Sequence, residues 1–346
     1  MNYYDTDWYK QELDKIIQDK KEFLRDVSIL ITGARGMIGS MLVDAIMLAN
    51  HSYGINCKVY AIVRNEAAAR TRFEKYAGNT LFQLIIADIN RGSLDGIEGK
   101  VEYIVHGASN THPLLYSGQP IESILTNVVG TNNLMEFAVC HECKRFLFLS
   151  SVEIYGENRG EYERFTEQDC GYLDSNTLRA GYPEGKRAGE TLCQAYRKEY
   201  GLESVILRVA RCFGAGTLKN DSKALSQFLH KAKEGKDIVL KSDGRQYFSY
   251  VYQADAVDAI CYFLQHGEVG EAYNITGCDS DITLKELTEI IADTAKVSVR
   301  YELPDHEEAA GYSKATKALL DGSKATKAGW TARYEIREGI ERCLCE

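Results

Sequence analysis

The sequence of 346 residues predicts an α/β protein built on a doubly wound parallel sheet, with a smaller mixed α/β part at its C-terminal end. Three observations support this fold class. Short apolar runs alternate with longer amphipathic helical patterns, which indicates βαβ units. The short runs are apolar at nearly every position, as in strands covered on both faces. The first run passes through a glycine-rich turn, Gly33 to Gly39, directly into a helical pattern, which is typical of the first unit of such a sheet.

The predicted elements of the sheet follow in order along the chain. Apolar residues at helical spacing first predict an amphipathic helix over residues 6–24, which we expect to pack on its own domain. The predicted strands are Ser28–Thr32, Lys58–Val63, Gln83–Ala87, Val101–His106, Phe146–Ser150 and Ser204–Arg208. The predicted helices between them are Met37–Leu48, Ala67–Tyr76, Ile124–Cys140 and Arg187–Tyr200.

A boundary is predicted after Phe213, where two glycines and a polar stretch interrupt the alternation. We therefore expect an N-terminal helix in residues 1–26, a Rossmann domain in 27–212 and a substrate domain in 213–346. Residues 251–265 are expected to return to the Rossmann domain. The elements predicted beyond the boundary are the helices Ala224–Glu234, Ala254–Gln265 and Leu284–Ala295 and the strands Ile238–Leu240 and Ala272–Ile275.

Composition excludes several classes of function. A formal net charge of −9 argues against a nucleic-acid surface, because duplex binding needs clustered lysine and arginine. No uncharged apolar run approaches the roughly 20 residues that a membrane helix needs. Residues 1–26 lack the apolar core of a secretory signal, so we expect a cytoplasmic protein whose ten cysteines stay free. Cys140 and Cys143 have no matching second pair, so we expect no metal site.

The glycine turn has the pattern of a loop that binds a pyrophosphate. Gly33 permits the tight turn, Gly36 lets the backbone approach a phosphate, and Gly39 lets helix and strand pack closely. The N-terminus of the following helix supplies free N–H groups and partial positive charge. This context predicts a dinucleotide site whose loop residues are Gly33, Arg35, Gly36, Met37, Ile38 and Gly39.

The residue after the second strand indicates which dinucleotide is bound. An acidic residue there would accept from the 2′-hydroxyl of NAD, whereas an arginine suits the 2′-phosphate of NADP. The chain has Arg64 followed by Asn65, and Arg35 in the glycine loop is close enough to help. We therefore expect NAD or NADP, and Arg64 favours NADP. The other expected cofactor contacts are Asp88, at the adenine amino group, Ile89 and Ala108.

A tyrosine and a lysine stand four residues apart in Tyr182-Pro-Glu-Gly-Lys186, on one face at the start of a helix. A phenol with an ordinary pKa of about 10 is a poor base at neutral pH. A fixed ammonium and the charge of a nicotinamide favour the phenolate, so Tyr182 can take a hydroxyl proton during hydride transfer. The segment Ser150-Ser151-Val-Glu-Ile-Tyr-Gly156 precedes this pair, at the carboxyl end of a predicted strand, where open α/β sheets bind ligands.

Together these motifs resemble the extended short-chain dehydrogenase/reductase family of nucleotide-sugar epimerases, dehydratases and decarboxylases. The resemblance runs from residue 27 to the end and is carried by Thr32–Gly39, Ser151 with Tyr155-Gly156, Tyr182 with Lys186, Tyr273-Asn-Ile275 and Gly329-Trp330. It implies a nucleotide-sugar substrate, tightly held NAD(P), oxidation of the sugar at C4 and reuse of the cofactor on a 4-keto intermediate. It also implies that Ser151 hydrogen-bonds the C4 oxygen and that Lys186 holds the nicotinamide ribose. We expect the protein to be a homodimer.

The residues after Ser151 bear on the branch of the family. Dehydratases of the dTDP-glucose type carry an Asp-Glu pair there, in which the acid protonates the leaving hydroxyl and the glutamate removes the C5 proton. This chain has Val152 and Glu153, and a valine cannot donate a proton. Glu153 is expected as the catalytic base if the 4-keto intermediate is processed by proton transfer at C5; the alternative is that it only hydrogen-bonds a neighbouring backbone group. The segment Tyr-x-Glu-Gly-Lys-Arg resembles that of UDP-glucuronate decarboxylases. Epimerisation, decarboxylation and dehydration all remain open.

Two departures from the family pattern concern substrate binding. The arginine with which the family usually grips the nucleotide diphosphate is replaced by Phe248, and its usual asparagine after the Leu207-Arg208 strand is Arg211. We hypothesise that Arg211 or Arg245 restores the lost charge from another direction. The expected substrate contacts are therefore Asn110, Arg211 and Arg245.

Two other functions are possible for this sequence. An NADPH-dependent reductase of a keto-sugar or another small carbonyl would use Arg64 for its cofactor. A non-catalytic dinucleotide sensor would keep the glycine loop without the chemistry. The intact set of Ser151, Tyr182 and Lys186 argues against the sensor, which has no need of it.

Overall fold

A computed structural model describes residues 3–345 except 92, 93, 95, 98, 112–117, 219, 220 and 303–315. Parallel and antiparallel strands are both present. In chain order the strands are β1 (Ser28–Thr32), β2 (Lys58–Val63), β3 (Phe82–Ile86), β4 (Tyr103–His106), β5 (Arg145–Ser151), β6 (Ser204–Val209), β7 (Arg211–Phe213), β8 (Ile238–Leu240), β9 (Tyr247–Tyr252), β10 (Ala272–Ile275), β11 (Asp281–Thr283), β12 (Val299–Tyr301) and β13 (Lys317–Ala318).

The large sheet positions the functional site. Within the described residues it has seven parallel strands in the order β10-β6-β5-β4-β1-β2-β3. Every residue of β1 is buried, because helices cover both faces of a parallel sheet. The chain runs outward from β1 in both directions, so a crevice opens at the carboxyl ends of β1 and β4. Ligands of doubly wound sheets bind in such a crevice.

Helices flank the sheet and connect its strands. In chain order the α-helices are α1 (Asp7–Ile17), α2 (Met37–Tyr53), α3 (Glu66–Arg72), α4 (Pro120–Cys140), α5 (Gly181–Tyr200), α6 (Ala224–Lys233), α7 (Gln253–His266), α8 (Leu284–Ala295), α9 (Ser323–Lys327) and α10 (Ile336–Leu344). Short 3-10 turns are Tyr3–Asp5, Glu74–Tyr76, Ile89–Arg91, Val152–Tyr155 and Leu178–Ala180. No helix among the described residues has the length and apolar character that a membrane crossing requires.

The remaining strands form smaller sheets beside the crevice. β9 pairs with β11, β13 and β7, and β8 pairs with β12. β7 follows β6 after a single residue, so the chain passes directly from the large sheet to the small one. The small sheets therefore stand close to the carboxyl end of β6, where they can close one side of the crevice.

The sequence patterns give several boundaries that differ from the structure. The helix predicted over 6–24 ends at Ile17, and turns follow it. The helix predicted over 67–76 ends at Arg72 and continues as a 3-10 turn. The helices predicted from Ile124 and Arg187 begin earlier, at Pro120 and Gly181, because Pro120 in the first turn and the small Gly181 are compatible with a helix start.

The strand Ala272–Ile275 departs from its expected place. The sequence pattern assigns it to the substrate domain, but β10 pairs with β6 as an edge strand of the large sheet. α7, expected to return to the first domain, packs on α1, α2, β5 and β6. β9 was not expected from the sequence at all, although Tyr247–Tyr252 is rich in aromatic residues that favour strands.

The N-terminal segment packs on the large sheet's helices through buried polar contacts. The Tyr9 hydroxyl on α1 donates to Asp44 of α2 at 2.9 Å, and both groups are buried. Lys20, in the turns after α1, donates to Asp258 of α7 at 2.8 Å, with both side chains less than a tenth exposed. Because an unpaired buried charge is costly, these contacts fix the segment against both helices.

Glu12 on α1 should make the stability of the protein depend on pH. Burial raises the pKa of Glu12 from its ordinary 4.5 to about 7, although the Tyr252 hydroxyl donates to it at 3.1 Å and Arg342 lies 3.8 Å away. The folded chain then keeps a proton that the unfolded chain releases above pH 4.5. This contribution to stability is complete below pH 4.5 and is lost as the pH rises through about 7.

We expect Glu12→Gln to lose part of the fall in Tm that the wild type shows between about pH 5 and about pH 8. Thermal unfolding across that range is the measurement. Glu341→Gln, an exposed carboxylate on α10, is the control and should behave like the wild type. Parallel curves for Glu12→Gln and the wild type would contradict the assignment.

Candidate active site

A cavity of about 1450 Å³ occupies the crevice at the carboxyl ends of the large sheet. It is lined by the loops after β1, β2, β4 and β5, by the start of α5, and by residues of α6, β8 and β9. All but one of the site residues expected from the sequence line it. These are Gly33, Arg35, Gly36, Met37, Ile38, Gly39, Arg64, Asn65, Asp88, Ile89, Ala108, Asn110, Ser151, Glu153, Tyr182, Lys186 and Arg211.

The glycine turn after β1 is shaped as a phosphate cradle. Gly33 has a φ of +69°, and a Cβ there would stand 2.7 Å from the Gly107 carbonyl oxygen. A Cβ on Gly39 would overlap the Gly33 carbonyl oxygen, so helix and strand pack as closely as expected. Gly36 is the N-cap of α2 and has no side chain to satisfy the first N–H groups of the helix, whose residues Met37 and Ile38 line the cavity. These residues fit a dinucleotide pyrophosphate.

The loop after β2 carries one charged residue, Arg64, at the end of the cavity where an adenosine would lie. Arg64 forms an ion pair with Glu122, and its guanidinium lies 3.4 Å from the Asn110 side-chain oxygen. Asn110 also donates to Ser123 at 3.2 Å and is buried. The Asn110 amide therefore contacts Arg64 and Ser123 of α4, whereas the sequence predicts that it contacts the substrate.

Lys186 is buried where α5 packs against β5. Its ammonium donates to the Leu149 carbonyl at 2.6 Å and lies 4.7 Å from the centroid of the Phe148 ring. Burial lowers the pKa of Lys186 to about 7, and the nearby Glu190 carboxylate opposes this shift. A Cβ on Gly189 would overlap the Phe148 ring, so only glycine lets α5 bring Lys186 this close to the sheet.

Tyr182 and Ser151 line the same part of the cavity. Tyr182 lies one turn before Lys186 on α5 and is only 6% exposed. Ser151 is the last residue of β5, and its hydroxyl oxygen accepts from the Glu153 N–H at 3.2 Å. Within the described residues this leaves the hydroxyl proton of Ser151 for a ligand. The arrangement can bind and deprotonate a hydroxyl group.

Glu153 lies between two arginines at this end of the cavity. One carboxylate oxygen is 3.5 Å from the guanidinium of Arg179, and the other is 3.5 Å from that of Arg211. Arg211 also lies over the Phe248 ring, 3.9 Å from its centroid. Its Nε is buried and has no hydrogen-bond acceptor among the described residues. We call Arg179, Glu153 and Arg211 the arginine cluster.

Of the two arginines considered for substrate binding, only one belongs to the arginine cluster. Arg211 reaches the cavity and stacks on the phenylalanine that replaces the family arginine. Arg245 does not line the cavity, because its side chain is 88% exposed and pairs with Asp243 at 3.2 Å. Arg211 therefore remains the candidate for supplying the charge that Phe248 lacks, and Arg245 does not.

Sequence patterns missed several residues of the cavity. Arg179 stands three residues before Tyr182, and that closeness in the chain was a usable signal. Glu122 reaches Arg64 only through the folding of α4, so no local pattern reveals it. Lysines from the second half of the chain also line the cavity: Lys223, Lys231 and Lys241.

Comparison with known families and curated proteins identifies relatives of this chain. Residues 29–276 match the family model described as "NAD dependent epimerase/dehydratase family". UDP-glucuronic acid decarboxylase 6 of Arabidopsis thaliana is 28% identical over 325 residues, which cover 94% of this chain and 90% of that protein. UDP-glucuronic acid decarboxylase 1 of Danio rerio is 28% identical over 317 residues, which cover 91% of this chain and 71% of that protein.

Solved structures share the fold over nearly the whole chain. DesIV, a dTDP-glucose 4,6-dehydratase from Streptomyces venezuelae with NAD and TYD bound, has a TM-score of 0.78 and 25% identity, covering 92% of this chain and 96% of its own. UDP-glucuronic acid 4-epimerase from Bacillus cereus, in complex with UDP-glucuronic acid and NAD, has a TM-score of 0.77 and 20% identity, covering 92% and 98%.

Proposed function

The chain belongs to the NAD dependent epimerase/dehydratase family, and we propose that within it the protein oxidises a nucleotide-activated uronic acid at C4 and decarboxylates the 4-keto product. The observation that carries the proposal is the arginine cluster beside the predicted catalytic set. It brings together two guanidinium groups, one with a buried, unpaired Nε, at the end of the cavity where the sugar would lie. A carboxylate is the ligand that such groups prefer.

The predicted catalytic set supplies proton transfer at the C4 hydroxyl. Ser151 would donate to the C4 oxygen, while Tyr182 takes the hydroxyl proton because the Lys186 ammonium favours a phenolate nearby. A nicotinamide cofactor, when bound, supplies a two-electron acceptor for the C4 hydrogen and can return it. The glycine turn would hold its pyrophosphate, and Lys186 would hold its nicotinamide ribose.

The arginine cluster would act on the C6 carboxylate. Arg179 and Arg211 each approach one oxygen of the Glu153 carboxylate, so the same two cations would neutralise a substrate carboxylate placed beside it. Once C4 is a ketone, cleavage of the C5–C6 bond releases carbon dioxide and sends the bonding electrons to the ketone oxygen, and the resulting enolate then takes a proton at C5. No acid is needed at position 152, where Val152 stands, and this favours decarboxylation over 4,6-dehydration.

Other parts of the proposal concern the ligands' surroundings. Lys223, Lys231 and Lys241 line the cavity and suit the nucleotide diphosphate.

The division into a cofactor domain (27–212) and a substrate domain (213–346), the homodimer and the cytoplasmic location stay predictions. NAD in the DesIV structure supports NAD, whereas NADP rests on Arg64 alone.

A panel of nucleotide sugars tests the proposed function. The purified protein is incubated with UDP-glucuronic acid, UDP-glucose, dTDP-glucose and GDP-mannose, and the products are read by mass spectrometry and NMR. We expect a mass loss of carbon dioxide from the uronic acid. A changed C4 configuration without mass change would identify an epimerase, and loss of water from a neutral sugar would identify a dehydratase. Turnover of none of these substrates would contradict the proposal.

Glu153→Gln tests the remaining role expected of this residue, proton transfer at C5. We expect reduced nicotinamide to accumulate in a single turnover while product formation falls by about a hundredfold, since C4 oxidation belongs to Tyr182. Absorbance follows the nicotinamide, and NMR in deuterated water follows deuterium at C5. Glu157→Gln, outside the cavity, is the control. Full activity of Glu153→Gln would favour a C4 epimerase, which needs no third catalytic group.

A further inference from the structure

An ion pair spans the end of the cavity where the adenosine ribose is expected. Arg64 directly follows β2, and its guanidinium pairs with the carboxylate of Glu122 in the first turn of α4. The Asn110 side-chain oxygen lies 3.4 Å from the same guanidinium. Asn110 is itself held by Ser123 at 3.2 Å. Arg64 is therefore held by α4 and by the loop after β4.

The pairing changes what Arg64 offers to a ligand. A lone arginine after the second strand suits a 2′-phosphate, because a phosphate brings charge to neutralise it. Here Glu122 already neutralises Arg64 and places a carboxylate at the same point of the cavity. A 2′-phosphate would have to displace that carboxylate and would be repelled by it. A 2′-hydroxyl can instead donate to an acidic group.

We propose that Glu122 is the residue that makes this chain select NAD over NADP. The acidic partner that other dinucleotide folds place at the end of the second strand is supplied here from α4, in direct contact with Arg64. The inference rests on the proposed function only in taking the dinucleotide to lie in the glycine-loop cavity. Arg35 remains as a cation of the cavity without an ion pair among the residues that the structure describes, and it is free to meet the pyrophosphate.

A simpler role for Glu122 is electrostatic support of α4. Acidic residues in the first turn of a helix are common, because they interact favourably with the helix dipole. That role predicts a change in stability on substitution and no change in cofactor preference. The two roles are therefore separable by measuring affinity for both cofactors alongside Tm.

The test compares the dissociation constants of NAD and NADP by equilibrium titration in four variants and the wild type. We expect the wild type to prefer NAD, and Glu122→Gln to reduce the NAD-to-NADP preference by about tenfold. Adding Arg64→Gln to Glu122→Gln should remove the gain in NADP affinity, because the freed arginine causes it. Arg64→Gln alone should not improve NADP binding. Glu136→Gln, an exposed carboxylate of the same helix, should match the wild type.

Two results would overturn the inference: a wild type that prefers NADP, or an unchanged preference in Glu122→Gln whether or not its Tm shifts. If the wild type binds neither cofactor, the proposed function fails instead. If Glu122→Gln proves unstable, Glu122→Asp keeps the charge on a shorter side chain and should lie between the wild type and Glu122→Gln in preference.

Discussion

Tyr182→Phe is expected to lower kcat by about a thousandfold, or about 4 kcal/mol of barrier, while the affinity for the dinucleotide changes little. The substitution removes only the hydroxyl oxygen that is expected to accept the C4 proton. The ring remains buried on α5, one turn from Lys186, so the packing of the cavity is kept. Steady-state turnover of the substrate found in the panel and a cofactor titration are the two measurements.

A second tyrosine of α5 provides the control for this variant. Tyr196 is largely buried on the same helix, and its hydroxyl donates to the Asn132 side chain at 2.9 Å, away from the cavity. Tyr196→Phe should keep nearly full kcat. If Tyr182→Phe retains more than about a tenth of the wild-type kcat, the base lies elsewhere and the proposed role of Tyr182 is wrong.

Arg211→Met is expected to lower kcat/KM for a nucleotide uronic acid by about a hundredfold, or about 2.7 kcal/mol. The variant removes one cation of the arginine cluster and keeps an apolar stem over the Phe248 ring. A neutral nucleotide hexose has no carboxylate to lose a partner, so its weaker turnover should fall far less. Comparing the two substrates in the same variant therefore isolates recognition of the carboxylate.

Arg245→Met is the matched control, because this arginine is exposed and lies outside the cavity. It should leave both substrates unaffected. Equal losses for the acidic and the neutral substrate in Arg211→Met would show that Arg211 binds the diphosphate shared by both. In that case the choice of a uronic acid as substrate loses its main support.

Much of the large sheet follows from local sequence. β1 and β2 have the boundaries that their apolar runs predict, because a strand covered on both faces is apolar at nearly every position. The glycine turn lies between them as expected, and Ser151, Tyr182 and Lys186 line one cavity. These features depend on short segments, in which the spacing of residues already carries the geometry.

The features that sequence patterns miss depend on contacts between distant segments. The prediction of NADP from Arg64 did not take account of its ion-pair partner, Glu122. Glu122 lies 58 positions further along the chain and reaches Arg64 only when α4 packs on the sheet. Glu153 has two arginine partners, one from the turn before α5 and one from β7, and neither is visible from its own motif. Arg245 was also expected to contact the substrate, but its side chain is exposed to solvent.

The N-terminal segment has a consequence for the order of folding. Its buried partners include Asp258 and Tyr252, which are 238 and 240 positions away from Lys20 and Glu12. During synthesis the segment leaves the ribosome before these partners, so its polar groups meet them only after the chain between has been made. Closing so long a loop is slow relative to local helix formation. Lys20 and Glu12 therefore meet these partners late, whereas Tyr9 can pair with Asp44 as soon as α2 has formed, and the part of α1 that packs on α7 stays uncovered in the interval.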